Sequence, residues 1–323
     1  MEYSTFGSTG ITVSDICLGC MSFGTKGDEW TLDRAESRAV IERAIDLGIN
    51  FFDTANVYSD GESEEILGEV IAEYDRDEFV IATKGYGQMR DDDPNSGGLS
   101  RKAIEQELSN SLDRLGMDTV DLYQIHRWDY DTPIEQTLRT LDDAVRRGQV
   151  RHLGASSMWA YQFAEALHTS ERLNLDRFVS MQNLYNLVYR EEEREMLPLC
   201  DTEDIAVMPW SPLGAGFLTR PHEEFDATTR GEHEAEIGRP YAAGGGREIN
   251  ERVAELADQK GVSMAQLALA WQFHKEWVTT PILGTSSIDH LEAAVEALEV
   301  DLSESDIEYL EEPYEPVPVS GHE

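Results

Sequence analysis

Phe79-Val80-Ile81-Ala82-Thr83-Lys84, followed by a helical stretch over 100–115 and then by Leu122-Tyr123-Gln124-Ile125-His126, decides the fold. The first and last of these are short apolar runs of β-formers that each end on an ionisable residue. The stretch between them carries Ile104, Leu108, Leu112 and Leu115 at helical spacing. Strand, helix and strand in that order form a βαβ unit, which requires a parallel sheet.

The same alternation runs outward in both directions. Strand-like runs occupy 16–18, 50–52, 79–83, 122–125, 150–155, 178–182, 206–209 and 278–283. Helical segments lie between them over 32–47, 63–74, 100–115, 134–147, 159–169, 191–200, 248–259 with 264–274, and 288–298. Local chemistry supports several ends: Gly48 and Gly148 as C-terminal stops, Pro133 at a helix start, and Ser263 three residues before Gln266 as a capping box. Eight such units predict an α/β fold of the (β/α)8 TIM barrel type, with residues 1–323 as a single domain. A β-hairpin over 3–13 precedes the first unit, and a further helix over 303–310 precedes a Pro-rich tail. The stretch 211–247, with Gly214, Gly216 and Gly244-Gly245-Gly246, reads as a long mobile loop after the seventh strand. A doubly wound two-domain fold would want a Gly-rich phosphate turn after an early strand, and none is present there.

Composition narrows the function. The 323 residues are 40% hydrophobic and 9% aromatic, which excludes wholesale disorder. Acidic residues outnumber basic ones 64 to 26, a formal net charge of −38. Such a surface repels phosphate backbones and anionic lipid, so neither nucleic acid nor membrane is an expected partner. Only Lys26, Lys84, Lys102, Lys260 and Lys275 are lysines, and the acids are dispersed, which suggests a protein of a very salty cytoplasm, a halophile, where salt screens self-repulsion. Met1-Glu2-Tyr3-Ser4-Thr5 lacks the features of a signal peptide, and no apolar run is long enough to span a bilayer, so a cytoplasmic location is expected. Cys17 and Cys20 form a C-x-x-C, but on a buried strand they face opposite sides. No redox or metal role is expected of them.

In a barrel, polar residues at the C-terminal strand ends enter the active-site mouth. Asp53, Lys84 and His126 close three successive strands, and Tyr58 follows Asp53 by five residues. This set suits carbonyl reduction. Hydride addition leaves negative charge on oxygen, and a tyrosine made more acidic by a neighbouring ammonium can protonate it. Asp53 would hold Lys84 charged, while His126 would donate a hydrogen bond or relay the proton. An alternative use of Lys84, as a Schiff-base nucleophile, is disfavoured by an aspartate that keeps it protonated.

Asp53-Thr54-Ala55-Asn56-Val57-Tyr58 with Gly61-Glu62-Ser63-Glu64-Glu65, Thr83-Lys84, and Tyr123-Gln124-Ile125-His126-Arg127-Trp128-Asp129 resemble the signature stretches of the aldo-keto reductases. So do Gly154-Ala155-Ser156-Ser157, Gln182-Asn183-Leu184-Tyr185-Asn186 and Trp210-Ser211-Pro212-Leu213-Gly214-Ala215-Gly216. The similarity runs from the hairpin to about Leu298, and is greatest to the branch containing potassium-channel β subunits and aryl-alcohol dehydrogenases. It implies the barrel fold, reduction of a small-molecule aldehyde or ketone, and a catalytic tetrad of Asp53, Tyr58, Lys84 and His126 with Tyr58 as general acid. It also implies NADP as cofactor, with NAD as an alternative. Ser156, Ser157 and Gln182 would hold the carboxamide and Trp210 would stack on the nicotinamide. Ser211, Leu213, Gly214 and Gly216 would approach the pyrophosphate, and Gly19, Met21, Gly284, Thr285, Ser287 and His290 would complete the nucleotide site. The chain departs from the family pattern in three places: Ser157 replaces an Asn, His290 stands where a basic or amide residue meets the 2′-phosphate, and Ala293-Ala294 replace Glu-Asn. Thr285, Ser287 and Arg220 remain as 2′-phosphate ligands. The same resemblance admits a second role, a redox-sensing regulatory subunit in which bound nucleotide matters more than turnover.

Overall fold

Period-2 alternation places every second strand residue inside a closed sheet, and this governs the architecture. The computed structural model describes residues 1–26, 30–225, 232 and 240–322. Strands β1 (Tyr3–Thr5) and β2 (Thr12–Ser14) form an antiparallel hairpin. Eight parallel strands follow: β3 (Cys17–Gly19), β4 (Phe51–Asp53), β5 (Val80–Gly85), β6 (Val120–Ile125), β7 (Val150–Ser156), β8 (Phe178–Gln182), β9 (Ala206–Val207) and β10 (Ile282–Gly284). Their order is β10-β3-β4-β5-β6-β7-β8-β9. The two edges meet through Thr279 N–H to Val207 O at 2.9 Å and Ile282 N–H to Pro209 O at 2.8 Å. A parallel sheet that returns on itself inside a layer of helices is a TIM-barrel-like fold.

The helices begin where the sequence supplies caps. Asp33 accepts from the N–H groups of Ala35 and Glu36 at the start of helix Arg34–Asp46, and Gly48 follows that helix at φ +88°. Ser263 with Gln266, and Ser303 with Asp306, form the capping boxes of helices Met264–Phe273 and Glu304–Glu311. Residues 191–200 are not one helix: a 3-10 turn Glu191–Arg194 precedes helix Met196–Thr202. Of the loop expected over 211–247, residues 226–231 and 233–239 lie outside the described residues. Its described flanks are a 3-10 turn Gly214–Thr219, a short helix His222–Phe225, and the start of helix Gly246–Lys260.

Two apolar layers result. The larger lies between sheet and helices, and includes Leu18, Cys20, Phe52, Ile81, Tyr123 and Leu153. The smaller fills the barrel's lower interior with Cys17, Phe51, Val80, Ala82, Leu122, Ala206, Met208 and Ile282. The hairpin completes that interior, since Phe6 and Val13 belong to it and the Phe6 ring meets Phe51 edge-on at 5.4 Å. Cys17 and Cys20 thus fall in different layers, and burial and the Asp53 charge push both thiols up, away from thiolate chemistry.

Candidate active site

Two residues further along the strands that fill the lower interior, the side chains become polar. Asp53 follows Phe51, Lys84 follows Ala82, Gln124 follows Leu122 and Gln182 follows Ser180. All four are buried. The mouth of the barrel therefore begins with a charged layer laid directly on the apolar one.

Lys84 organises that layer. Its Nζ donates to Asp53 Oδ2 at 2.5 Å, to the Thr54 carbonyl at 2.9 Å and to Tyr58 Oη at 3.2 Å. Burial alone would strip its proton, but the Asp53 carboxylate and the Tyr58 oxygen outweigh burial and hold the ammonium charged. Asp53 Oδ1 accepts from Gln124 Nε2 at 2.7 Å and Gln182 Nε2 at 3.0 Å, and Gln182 Nε2 also reaches Gln124 Oε1 at 3.1 Å. Gln124 is the residue that sequence reading missed. It lies two positions before His126 on β6, and the same alternation that picked out His126 points to it.

Tyr58 reaches this group on a turn of unusual backbone. It opens the 3-10 segment Tyr58–Gly61, in which Ser59 and Asp60 have φ of +49° and +54° and Gly61 has φ +91°. Each left-handed residue with a Cβ costs about 1 kcal/mol. Upstream, the turn is pinned to the adjacent strand β5 by Thr54 N–H to Ala82 O at 2.9 Å and Asn56 N–H to Lys84 O at 3.1 Å. The Tyr58 phenol lies above its ordinary pKa: burial raises it, Lys84 counters, and Asp53 adds to the rise. The sequence had suggested a lowered value. Lys84 does pull in that direction, but a half-buried ring beside an aspartate ends higher. Tyr58 is therefore protonated at neutral pH, the form a proton donor needs.

His126 follows β6 and meets the Tyr58 ring edge-on at 5.9 Å. Burial, then Lys84 and Arg127, push its pKa well below the usual imidazole value, so it is neutral and offers a single N–H donor. Arg127 Nη1 bonds the His126 carbonyl at 2.7 Å. Asp129 accepts from the backbone N–H groups of Leu99 at 2.7 Å and Asp131 at 2.9 Å.

A second polar group borders the tetrad. Ser156 Oγ donates to the Gln182 carbonyl at 2.8 Å and lies 3.1 Å from Ser157 Oγ. Trp210 Nε1 donates to Ser157 Oγ at 3.2 Å, which fixes the plane of a half-buried indole. The following loop turns through Ser211, Gly214, Ala215 and Gly216, all at positive φ. Here the Gly214 and Gly216 N–H groups close turns onto Ser211 O and Leu213 O, at 2.9 and 3.1 Å. Next round the barrel from β9, on β10 and β3, Gly284 pairs with Gly19; beyond them Ser22 Oγ donates to the Thr285 carbonyl at 2.8 Å, and Met21 is exposed. Ser287 caps helix Ile288–Glu296 by accepting the His290 N–H at 3.2 Å.

The donor set suits a dinucleotide. Two serine hydroxyls, a held indole, a loop of small left-handed residues and a capped helix N-terminus stand round one mouth. Among the described residues no cluster of His, Cys, Asp and Glu has metal-ligand geometry, and no helix is long and apolar enough to cross a membrane.

A model of the aldo/keto reductase family matches residues 15–315, so the chain belongs to that family and is an oxidoreductase that acts on small-molecule carbonyl compounds. Members of the family use NAD(P)H. The chain is 42% identical to a Schizosaccharomyces pombe protein named as an aryl-alcohol dehydrogenase, with 99% of this chain and 97% of that protein covered. It is 40% identical to the versiconal hemiacetal acetate reductase of Aspergillus parasiticus, with 98% of each covered, and 39% identical to an aldo-keto reductase of Metarhizium robertsii, with 100% and 93% covered.

Proposed function

We propose that this chain is an NAD(P)H-dependent reductase of aldehydes or ketones in which Tyr58 is the general acid. The observation that carries the reading is the position of Lys84 Nζ, in hydrogen-bond reach of both Asp53 Oδ2 and Tyr58 Oη at the end of a barrel strand. When bound, the reduced nicotinamide supplies hydride. Tyr58 gives its proton to the carbonyl oxygen as charge develops there, and the phenolate left behind is stabilised by the Lys84 ammonium. Neutral His126 donates its N–H to the same oxygen and orients it. Asp53, held by Gln124 and Gln182, keeps Lys84 charged and in place.

Ser156, Ser157 and Gln182 hold the carboxamide in this reading. Gln182 does this through Oε1, while its Nε2 continues to serve Asp53. Trp210 presents one face of the nicotinamide, the 211–216 loop meets the pyrophosphate, and Gly19, Met21 and Gly284 line the path between them. Thr285, Ser287 and Arg220 meet a 2′-phosphate, which favours NADP over NAD, and His290 flanks it. The chain works as one domain in the cytoplasm, and its charge of −38 suits a cell of high internal salt.

The substrate is a neutral aromatic or medium-chain aldehyde. The overall negative charge disfavours anions, and the name of the Schizosaccharomyces pombe relative points to aryl substrates. Specificity constants for benzaldehyde and for a sugar phosphate, measured together in high salt, test this. The aldehyde should be preferred, and a tenfold advantage for the phosphate would refute it.

A further inference from the structure

Behind Ser157 runs a chain of buried polar contacts that the catalytic reading does not use. Glu192 and His322 are 4% and 7% exposed, and His322 Nε2 lies 3.0 Å from Glu192 Oε1. The other carboxylate oxygen, Glu192 Oε2, accepts from Asn183 Nδ2 at 2.8 Å. A carboxylate only accepts, so Glu192 decides which way the Asn183 amide faces. Asn183 Oδ1 is thereby aimed at the Ser157 N–H, 2.8 Å away, which it shares with the Gln182 backbone carbonyl at 3.2 Å.

Ser157 has φ +53°, a left-handed conformation that a residue with a side chain keeps only when its surroundings impose it. In that conformation its Oγ meets both Ser156 Oγ and Trp210 Nε1. Asn183 is therefore one of the groups that hold the serine pair and the indole in their present arrangement.

The segment 312–322 closes over this chain from outside. Val317 N–H donates to Glu191 Oε1 at 2.9 Å, and Ser320 exchanges two hydrogen bonds with Tyr189 Oη, at 3.0 and 3.2 Å. The His322 ring meets Trp159 edge-on at 4.8 Å, two residues beyond Ser157. One imidazole thus touches the Ser157 loop by two routes, through Glu192 and Asn183 and through Trp159.

We propose that Glu192, clamped by His322, is a positioning residue for the nicotinamide end of the cofactor. It touches neither nucleotide nor substrate, and acts through Asn183 on the backbone of Ser157, and so on Ser156 and Trp210. The inference rests on the reading of those three residues as the nicotinamide site. A residue that merely stabilised the barrel would affect all ligands alike, whereas a positioning residue affects only those that carry a nicotinamide.

The test is a comparison of two ligands by tryptophan-fluorescence titration: NADPH, and adenosine 2′,5′-bisphosphate, which has the adenosine end and no nicotinamide. Glu192→Ala and His322→Ala should each weaken NADPH about tenfold, the scale of one lost buried hydrogen-bond partner, and leave the bisphosphate unchanged. His322→Gln, whose amide can donate to Glu192 as the ring does, should restore NADPH binding. If Glu192→Ala fails to fold, the two His322 variants decide the matter alone. Unaltered NADPH binding in every folded variant overturns the inference, as does a proportional loss of both ligands, and either result leaves the cofactor reading intact. Failure of the unaltered chain to bind NADPH or NADH would overturn that reading, and this inference with it.

Discussion

Replacing Asp53 with Asn keeps the shape of the side chain and removes the charge on which Lys84 depends. In the parent, Asp53 accepts from Lys84 on one oxygen and from two glutamine amides on the other. An Asn has one accepting oxygen, so its own NH2 must face either the ammonium or the glutamine donors. Breaking a buried ion pair from one side costs about 3–5 kcal/mol while the remaining charge stays buried. Lys84 escapes part of that cost by losing its proton, since burial, the largest influence on it, is then opposed by Tyr58 without the Asp53 charge. The sign of the pH dependence follows. In the parent, Asp53 raises the folded-state pKa of Lys84, so its contribution is fully present below the unfolded value of about 10.4 and is lost as pH rises through the folded one. In the variant the folded pKa falls below the unfolded value. Between them the unfolded chain binds the extra proton, so stability rises with pH by up to about 1.4 kcal/mol per unit. Denaturant unfolding of both proteins at pH 7 and pH 9 reads this directly. The variant should be markedly weaker at pH 7 and recover part of the loss at pH 9, while the parent changes little. A variant as insensitive to pH as the parent would refute the assignment of a buried, Asp53-dependent ammonium.

Lys84→Met should slow reduction and move its pH dependence upward, because the phenol loses the ammonium that draws its proton off; a slowed rate on an unmoved profile would give Lys84 another role. His126 should remain neutral through the usual imidazole range near pH 6.5, so its NMR titration should lie well to the acid side of a free histidine's. Melting curves at low salt and in molar KCl should differ, with the higher midpoint in KCl, given a net charge of −38. Equal midpoints would remove the salty-cytoplasm reading.

Much of the site was legible because a barrel converts strand ends into neighbours. Asp53, Lys84 and His126 are far apart in the chain, yet once each is read as closing a strand the topology alone brings them to one mouth. The hairpin was legible as a hairpin but not as the floor of the barrel, since nothing local says that Phe6 meets Phe51. Gln124 was overlooked because an uncharged amide inside an apolar strand reads as packing until Asp53 is seen to need two donors. The partners of segment 312–322 were beyond reach for a related reason. His322 and Glu192 are 130 residues apart and pair only after the tail has crossed the barrel's end. The direction of the Tyr58 shift needed the degree of burial, which motif spacing does not report.

In the proposed reaction Tyr58 protonates a carbonyl oxygen while reduced nicotinamide is consumed. Its most direct test follows the loss of NADPH absorbance with benzaldehyde, in high salt, for the parent and for Tyr58→Phe side by side. The parent should yield one benzyl alcohol per NADPH, and the variant a rate at least about 100-fold lower, with nucleotide binding nearly unchanged. Near-parental turnover by Tyr58→Phe would contradict it.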